Sequence, residues 1–177
     1  MPDEAKLTEA DGGLVPEGDG WFVLNARDAR WWHHDTFGPS TVFEGEPGFP
    51  QFGINIQVLE PGQPNCMYHA ENAQEDFLVL AGECLLLVDG EERSLKQWDF
   101  FHAPPWTEHV FVGAGDGPCA ILMVGARPEH EELLYPVSDL ARKHNAGVEQ
   151  EATSGREAYA AYDRPTAGPY PDGALPD

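Results

Sequence analysis

The stretch "MYHAENAQEDFLVLAGE", residues 67–83, joins a segment rich in histidine and acids directly to an apolar run. His69 and Glu71 are two residues apart, so on a β-strand their side chains point to the same side of the sheet. The polar residues that follow predict a tight turn, after which "DFLVL" predicts a second strand and Glu75 returns beside His69. The stretch therefore indicates a β-hairpin that presents one histidine and two carboxyl groups together.

The ionisable side chains of this hairpin need an explanation. Charged groups beside a buried strand are costly unless something pairs with them. A metal ion would be such a partner, and an exposed turn would avoid the cost altogether. Met67 lies on the same face of the first strand as His69, which favours a face that looks inward.

A second segment, "LKQWDFFHAPPWTEHVFVG", residues 95–113, has the pattern of two strands joined at a Pro104-Pro105 turn. His109 opens the second of these strands and shares its face with Phe111. A histidine and a phenylalanine that face one interior indicate a lined pocket. A hydrogen-bonded core histidine is the alternative interpretation of His109.

Short strands bounded by turn residues fill the middle of the chain. The sequence has 19 glycines and 16 prolines, and "FGINIQVLEPG" alternates apolar with polar residues before Pro61 and Gly62 end it. About eight such strands are predicted between residues 41 and 126. This spacing is typical of an all-β antiparallel sandwich or small barrel.

The flanking segments differ from this β-region. The sequence predicts a loose polar start over residues 1–20, a strand at 21–25 and an irregular aromatic stretch at 26–40. These residues, 1–40, are therefore predicted to be an N-terminal arm in front of a β-barrel domain over 41–127.

Beyond the barrel, residues 128–177 are predicted to form a C-terminal helical extension and a flexible tail. Ser138 caps a predicted helix over 138–147, and a second helical segment is predicted over 155–165. Residues 166–177 are predicted to be disordered.

The acidic composition argues against several kinds of partner. The 177 residues include 31 acidic and 10 basic side chains, a formal net charge of −21. Such a surface repels phosphate backbones and anionic lipids, so we expect neither nucleic acid nor a membrane as partner. Cys66, Cys84 and Cys119 form no CxxC pair and are predicted to be reduced, packed thiols. With no leader-like segment at the N-terminus, the sequence predicts a cytoplasmic protein.

The hairpin at residues 67–83 resembles the first motif of the cupin superfamily, a metal-binding β-barrel fold of the jelly-roll type. That motif has Gly, then His-x-His, three or four residues, Glu, six residues and Gly. His69 stands at the first histidine position, Glu75 at the glutamate and Gly82 at the last glycine. Gly62 stands one residue too early for the first glycine.

The second segment resembles the other cupin motif, in which a strand and a proline precede a histidine. Here His109 follows Pro104 by five residues. The resemblance covers residues 54–126, and it implies a cupin barrel for this part of the chain.

The resemblance also implies a metal site. Glu71 replaces the second histidine of His-x-His, and the pattern His-x-Glu-x3-Glu with a later His is similar to the hydroxyanthranilate dioxygenase branch. That similarity implies that His69, Glu75 and His109 bind iron. Such a set leaves positions open for substrate and oxygen, as non-haem Fe(II) chemistry requires. One divalent transition metal is expected, with Fe(II) favoured over Mn, Ni or Zn.

Two further side chains are candidates for catalysis. Glu71 is either a fourth ligand, which would suit Mn(II) or Fe(II), or a neighbour of the ligands that orients a water or acts as a general base. His102 lies at a position that is normally apolar in such barrels, and we expect it to be a hydrogen-bonded residue of the pocket.

The substrate pocket is expected to be aromatic and without a positive anchor. Its predicted lining is Met67, Phe77, Phe111 and Trp106. The strands around the two histidines contain no arginine, so the carboxylate-binding arginines of the dioxygenase branch are not carried over. A small neutral or aromatic molecule is therefore the expected substrate.

The remaining candidate ligands are expected to lie outside the site. His33 and His34 in "WWHHD" point opposite ways on an extended chain, so packing over the barrel or a dimer contact is predicted there. Cys66 is expected to pack on the opposite face of its strand, and His130 and His144 to be exposed.

Three functions remain open at this point. The first is an Fe(II)-dependent oxygenase or dioxygenase, and the second is a redox-free metal-dependent isomerase, cyclase or lyase. The third is a non-catalytic module that binds a small molecule. The two arms are expected to wrap the barrel or to mediate dimerisation, and because many cupins pair through such arms, the resemblance implies a homodimer.

Overall fold

The computed structural model describes residues 2–176, which form fourteen β-strands and two short helices. The elements in chain order are β1 Lys6–Ala10, β2 Gly13–Glu17, β3 Arg30–His33, β4 Ser40–Val42, β5 Phe52–Leu59, β6 Ala70–Glu71, β7 Glu75–Ala81, β8 Glu83–Val88, β9 Glu91–Lys96, β10 Phe100–Ala103, β11 His109–Ala114, β12 Cys119–Ala126, β13 Leu133–Leu134, α1 Asp139–Lys143, α2 Gly155–Ala158 and β14 Thr166–Gly168.

Two antiparallel sheets share one apolar core. The larger has the strand order β10-β7-β12-β5-β4-β3-β14, and the smaller has the order β11-β8-β9. The core residues come from both sheets: Leu59, Phe77, Val79, Cys84, Leu86, Ala103, Phe111, Cys119, Ile121 and Met123. The predicted all-β, jelly-roll-type fold is confirmed. Among residues 2–176 the strands form a sandwich whose sheets are not hydrogen-bonded into a closed barrel.

Strand β5 faces its polar side inward, and this opens a cavity in the sandwich. Its apolar residues Ile56 and Val58 pack on the outer face of the large sheet. The alternate positions, Gly53, Asn55 and Gln57, line a cavity between the sheets. Small and polar side chains cannot fill the space there, so the end of the sandwich stays open at β5.

Tight turns hold the strands in register. The turn between β8 and β9 is made by Asp89 and Gly90, both at positive φ (45° and 78°), as two-residue hairpins prefer. At Gly82, between β7 and β8, φ is 73° and an added Cβ would lie 2.5 Å from the carbonyl oxygen of Pro118. Glycine is therefore required at this position by both backbone conformation and space.

Both chain ends are more ordered than the sequence indicated. Residues 6–17 form the hairpin β1–β2 where a loose segment was predicted, and residues 21–25 lack the predicted strand. The predicted flexible tail contains β14, which pairs with β3 inside the large sheet. The β14 prediction was wrong because its partner β3 is distant in sequence. The β1–β2 hairpin was missed although its turn, Asp11 and Gly12 at positive φ (54° and 86°), is a local hairpin signal.

The two predicted helices are present but short. Helix α1 begins after Ser138, whose hydroxyl accepts a hydrogen bond from the backbone N–H of Ala141 (3.2 Å). Helix α2 has the same type of cap at Ser154. Neither helix, nor any other part of residues 2–176, offers a helix long and apolar enough to span a membrane.

Trp31 anchors the C-terminal segment to the large sheet, which gives a stability prediction. Its side chain is fully buried, its Nε1–H donates to the carbonyl oxygen of Ala26 (2.9 Å), and its ring meets that of Tyr170 at 5.5 Å. Trp31→Ala should lower the free energy of unfolding by about 3–5 kcal/mol in urea titrations. The matched control Trp21→Ala, at a residue that is 53% exposed, should change it by less than about 1 kcal/mol. Equal losses in both variants would contradict this anchoring role.

Candidate metal centre

The two motif histidines lie on paired backbone segments. His109 N–H donates to the carbonyl oxygen of His69 (2.8 Å), and His69 N–H donates back to the carbonyl oxygen of His109 (3.2 Å). Residues that exchange both hydrogen bonds in an antiparallel pair present their side chains on the same face. The two imidazole rings accordingly lie 5.1 Å apart, centroid to centroid.

Glu75 completes the cluster from the large sheet. It is the first residue of β7, and its Oε2 lies 3.3 Å from Nε2 of His109. Donor atoms of His69, Glu75 and His109 all lie within 4.8 Å of one another. The turn between β6 and β7 thus returns Glu75 to the histidines, as the residue pattern predicted. The predicted β-hairpin is not formed, because β6 pairs with β13 whereas β7 pairs with β10 and β12.

Backbone hydrogen bonds determine which nitrogen of each histidine faces the cluster. Nδ1 of His69 lies 2.9 Å from the carbonyl oxygen of Met67, and Nδ1 of His109 lies 3.0 Å from that of Thr107. A carbonyl can only accept, so each Nδ1 carries the proton and each Nε2 is left with a free lone pair. This is the arrangement that orients histidine for metal ligation.

The electrostatics of the cluster favour neutral histidines. Burial, reinforced by His109, lowers the pKa of His69 to about 4, and burial also lowers the pKa of His109. Burial, together with the charge of Glu71, raises the pKa of Glu75 to about 8. Because the imidazole of His109 is neutral at neutral pH, its 3.3 Å contact with Glu75 is not an ion pair.

The donor set fits a divalent transition metal. Two imidazole nitrogens and one carboxylate oxygen are typical ligands, with bonds of about 2.0–2.2 Å. Small side-chain rotations would bring the three donors to those distances around one ion. A cation would also stabilise the ionised form of Glu75, which burial disfavours.

The candidate ligands line a cavity of about 300 Å³ between the sheets. Phe77 and Met123 supply apolar surface beside the ligands, and Gly53 and Gly125 leave one wall without side chains. The other lining residues are Asn55, Gln57, Asn65, Cys66, Glu71, Ala126, Arg127 and Glu131. This volume accommodates a small molecule rather than a polymer segment.

Glu71 lines the cavity but stays outside the three-residue cluster. Burial, with a further contribution from Glu131, raises the pKa of Glu71 to about 7. A carboxyl group with such a pKa can exchange a proton near neutral pH. Of the two interpretations of Glu71, the geometry favours a role beside the ligands.

Three residues expected in the pocket lie elsewhere. Met67 packs in a separate core under the C-terminal extension, with Phe37 and Tyr135. Trp106 is 48% exposed and is absent from the cavity wall. His102 lies on the outer face of β10, where Nδ1 contacts Oδ1 of Asp76 at 2.7 Å. His102 alternates with the inward-facing Phe101, so the sheet itself directs it away from the cavity.

The two phenylalanines have different positions. Phe77 lines the cavity, and its ring lies 5.2 Å from that of His109. Phe111 is fully buried below the ligands and meets the Phe77 ring at 4.8 Å. Phe111 therefore supports the floor of the site instead of contacting a substrate.

Cys66 and Arg127 line the cavity although the sequence did not indicate them. Sγ of Cys66 lies 3.7 Å from Nδ1 of His69. The prediction that Cys66 packs on the opposite face is wrong, because residues 64–69 are not a regular strand. Arg127 directly follows β12 and lies two residues after Gly125 and four after Met123, so it points to the same face of the strand. This alternation could have identified Arg127 as a cavity residue from the sequence. The expectation that no arginine lines the pocket is thus corrected.

The charge of Arg127 is already compensated. Its guanidinium donates to both carboxylate oxygens of Glu44 (2.9 and 3.0 Å) and to the carbonyl oxygen of Phe49. This clamp fixes the loop before β5 at the edge of the cavity. Arg127 therefore adds less positive charge to the wall than its residue type suggests.

The "WWHHD" segment does not form a second ligand set. Nε2 of His33 contacts the carbonyl oxygen of Pro169 (2.8 Å), and Nε2 of His34 contacts that of Asp163 (2.9 Å). Both histidines therefore hold C-terminal segments against the sandwich. His144, expected to be exposed, instead contacts Glu92 at 2.9 Å.

Comparison with known proteins agrees with the fold and with the two motifs. Residues 55–125 match the family model of the cupin domain, whereas no curated protein matches the sequence significantly. The chain is similar in structure to a sugar phosphate isomerase of the cupin superfamily from Silicibacter pomeroyi, with 24% identity and a TM-score of 0.53 over 86% of this chain and 83% of that one.

Two further solved structures have the same TM-score of 0.53 at 15% identity. One is the polyketide cyclase RemF from Streptomyces resistomycificus, aligned over 62% of this chain and 82% of its own. The other is a predicted oxalate decarboxylase from Thermotoga maritima, aligned over 60% and 99%. At these identities the likenesses show a common fold. The family match shows that residues 55–125 of this chain are a cupin domain.

Proposed function

We propose that this protein is a metal-dependent cupin enzyme, an Fe(II)-dependent oxygenase that acts on a small neutral or aromatic molecule. The observation that carries the proposal is the orientation of the two histidines. Their Nδ1 protons are held by backbone carbonyls, so both Nε2 lone pairs point towards the carboxylate of Glu75. Two histidines and one carboxylate with open positions are the ligand set of non-haem Fe(II) oxygenases.

Each residue of the cavity has a defined task in this proposal. His69, Glu75 and His109 would hold the ion, which when bound supplies a Lewis acid and a redox centre for oxygen. Phe77 and Met123 exclude water from the side of the ligands. Glu71, beside the ligands, can accept or return a proton of the substrate.

The lining favours a substrate that is not strongly anionic. Glu71, Glu75 and Glu131 face the cavity, and the single arginine in its wall is paired with Glu44. A carboxylate or phosphate that does not bind the metal itself would meet this acidic lining at a cost. A hydrogen-bond donor on the substrate would be favourable, because the buried Oδ1 of Asn55 has no partner within residues 2–176.

A redox-free reaction is the second candidate, favoured by the position of Glu71. A carboxyl group poised near neutral pH beside a metal centre suits proton transfer in an isomerase, cyclase or lyase. Two structural neighbours are named as a sugar phosphate isomerase and a polyketide cyclase. Their low identity restricts that support to the fold.

The role of His109 as a metal ligand can be tested by substitution. His109→Ala removes a buried donor, so the purified protein should lose its bound metal when it is measured by inductively coupled plasma mass spectrometry. His33→Ala is the matched control, since His33 contacts Pro169 and not the cluster. Full metal content in His109→Ala, or loss in His33→Ala, would overturn the assignment.

Isosteric substitutions should distinguish the roles of Glu71 and Glu75 in metal binding. Glu75→Gln should lower metal affinity at least tenfold in chelator competition, because the negatively charged donor is lost. Glu71→Gln should retain the metal, because Glu71 lies outside the cluster. If Glu71→Gln lost metal as fully as Glu75→Gln, Glu71 would have to be counted as a ligand.

Metal exchange distinguishes the two reactions. We expect the Fe(II)-loaded protein to consume oxygen with small phenols or other neutral ring compounds, measured with an oxygen electrode, and the Zn(II)-loaded protein to be inactive. Substrate turnover by the Zn(II) form under anaerobic conditions would favour the redox-free reaction and exclude oxygenation as the main activity.

A further inference from the structure

A second cavity, larger than the metal cavity, lies under the C-terminal segment. Its volume is about 790 Å³, within the range of small-molecule sites. One wall comes from the segment that includes β3 and the start of β4, and the other from α2 and the residues after it. We call it the C-terminal cleft, and its lining is Trp32, His34, Phe37, Gly38, Ser40, Gln57, Asn65, Gly155, Arg156, Tyr159, Ala160, Tyr162, Asp163, Arg164 and Pro165.

Aromatic rings form much of the cleft wall and brace one another. The Phe37 ring meets the rings of His34, Tyr159 and Tyr162 at centroid distances of 4.7, 5.3 and 5.0 Å. Tyr159 is fixed further because its hydroxyl accepts a hydrogen bond from the backbone N–H of Met67 (2.9 Å). These contacts make a pre-organised surface on which a flat ring can stack.

The cleft also concentrates positive charge in an acidic protein. Arg156 and Arg164 line it, whereas the whole chain has only 10 basic side chains against 31 acidic ones. Within residues 2–176, neither arginine has a carboxylate partner within 4 Å or a hydrogen bond. Asp163 is the one carboxylate among the lining residues, so the wall keeps a net positive charge.

A partition separates the C-terminal cleft from the metal cavity. Gln57 and Asn65 line both spaces. The Gln57 amide donates to the carbonyl oxygens of Phe37 (2.5 Å) and Asn65 (2.9 Å), and the Asn65 side-chain oxygen accepts from the backbone N–H of Phe111 (2.8 Å). These hydrogen bonds hold the side chains of Gln57 and Asn65 against the backbone of neighbouring segments. The two cavities are therefore distinct sites in this structure.

We propose that the C-terminal cleft is a second binding site, which takes a planar aromatic anion. The ring stacks against Phe37, Tyr159 and Tyr162, and the anionic group pairs with Arg156 and Arg164. Arginine suits this task because its planar group can hold a carboxylate through two parallel hydrogen bonds. This ligand class is the opposite of what the acidic metal cavity favours.

The test uses 1-naphthoate as probe and the neutral 1-naphthalenemethanol as its counterpart. Isothermal titration calorimetry on the full chain should show binding of 1-naphthoate, at least tenfold tighter than that of the alcohol. The affinity should fall as salt is raised, because the arginine contacts are accessible to solvent. Equal affinity for the two probes would overturn the proposed role of the arginines.

Substitutions of the two cleft arginines test whether 1-naphthoate binds in the C-terminal cleft. Arg156→Gln combined with Arg164→Gln should weaken 1-naphthoate binding at least tenfold, and the two exposed positions leave the core intact. Arg93→Gln, at an exposed arginine on β9 that pairs with Glu91, is the matched control and should bind as the parent protein does. Unchanged binding in the double variant, with an unchanged melting temperature, would overturn the proposal.

A further variant separates this site from the metal centre. His109→Ala should bind 1-naphthoate with unchanged affinity, because the cleft does not include the metal ligands. Loss of binding in His109→Ala alone would place the probe in the metal cavity and overturn the proposal. Failure of the oxygenase test would leave the cleft result unaffected, so the two inferences fail independently.

Discussion

The candidate centre depends on one pair of backbone hydrogen bonds, exchanged between His69 and His109. This pairing places two imidazoles side by side although 40 residues separate them in the chain. The carbonyl oxygens of Met67 and Thr107 then hold each Nδ1 proton and leave each Nε2 free. The chemistry of the site depends on this geometry, because a different ring orientation would point hydrogen-bond donors, not lone pairs, at Glu75.

The cavity exists because the inward-facing side chains at one end of the sandwich are too small or too polar to fill the space between the sheets. On β5 the inward positions are glycine and amide residues, while Ile56 and Val58 turn outward. An apolar inward face would have closed this space and removed the site. The outward apolar face is covered in turn by Tyr170, Ala174 and Leu175 of the C-terminal segment. The C-terminal segment therefore supports the orientation of the strand that lines the metal cavity.

Residues 155–165, which precede this segment, form one wall of the larger cleft, and the two cavities have opposite electrostatic character. Glu71, Glu75 and Glu131 make the metal cavity acidic, whereas Arg156 and Arg164 leave the cleft positive. In a protein of net charge −21, two arginines without carboxylate partners in residues 2–176 are a distinct feature. A cupin fold by itself specifies neither cavity's ligand, because function depends on the groups placed in the site.

The sequence alone determined the β-fold and the turn that returns Glu75, because periodicity and turn residues encode them, and its resemblance to the cupin motifs implied the candidate trio. It also indicated both capped helices. Only the tertiary structure decided that His102 faces outward, that Arg127 and Cys66 line the cavity, and that β14 completes the large sheet beside β3. These depend on register and on pairing between distant segments, where one residue of shift moves a side chain to the other face. Only for Arg127 does a local pattern exist, its alternation with Met123 and Gly125 along β12.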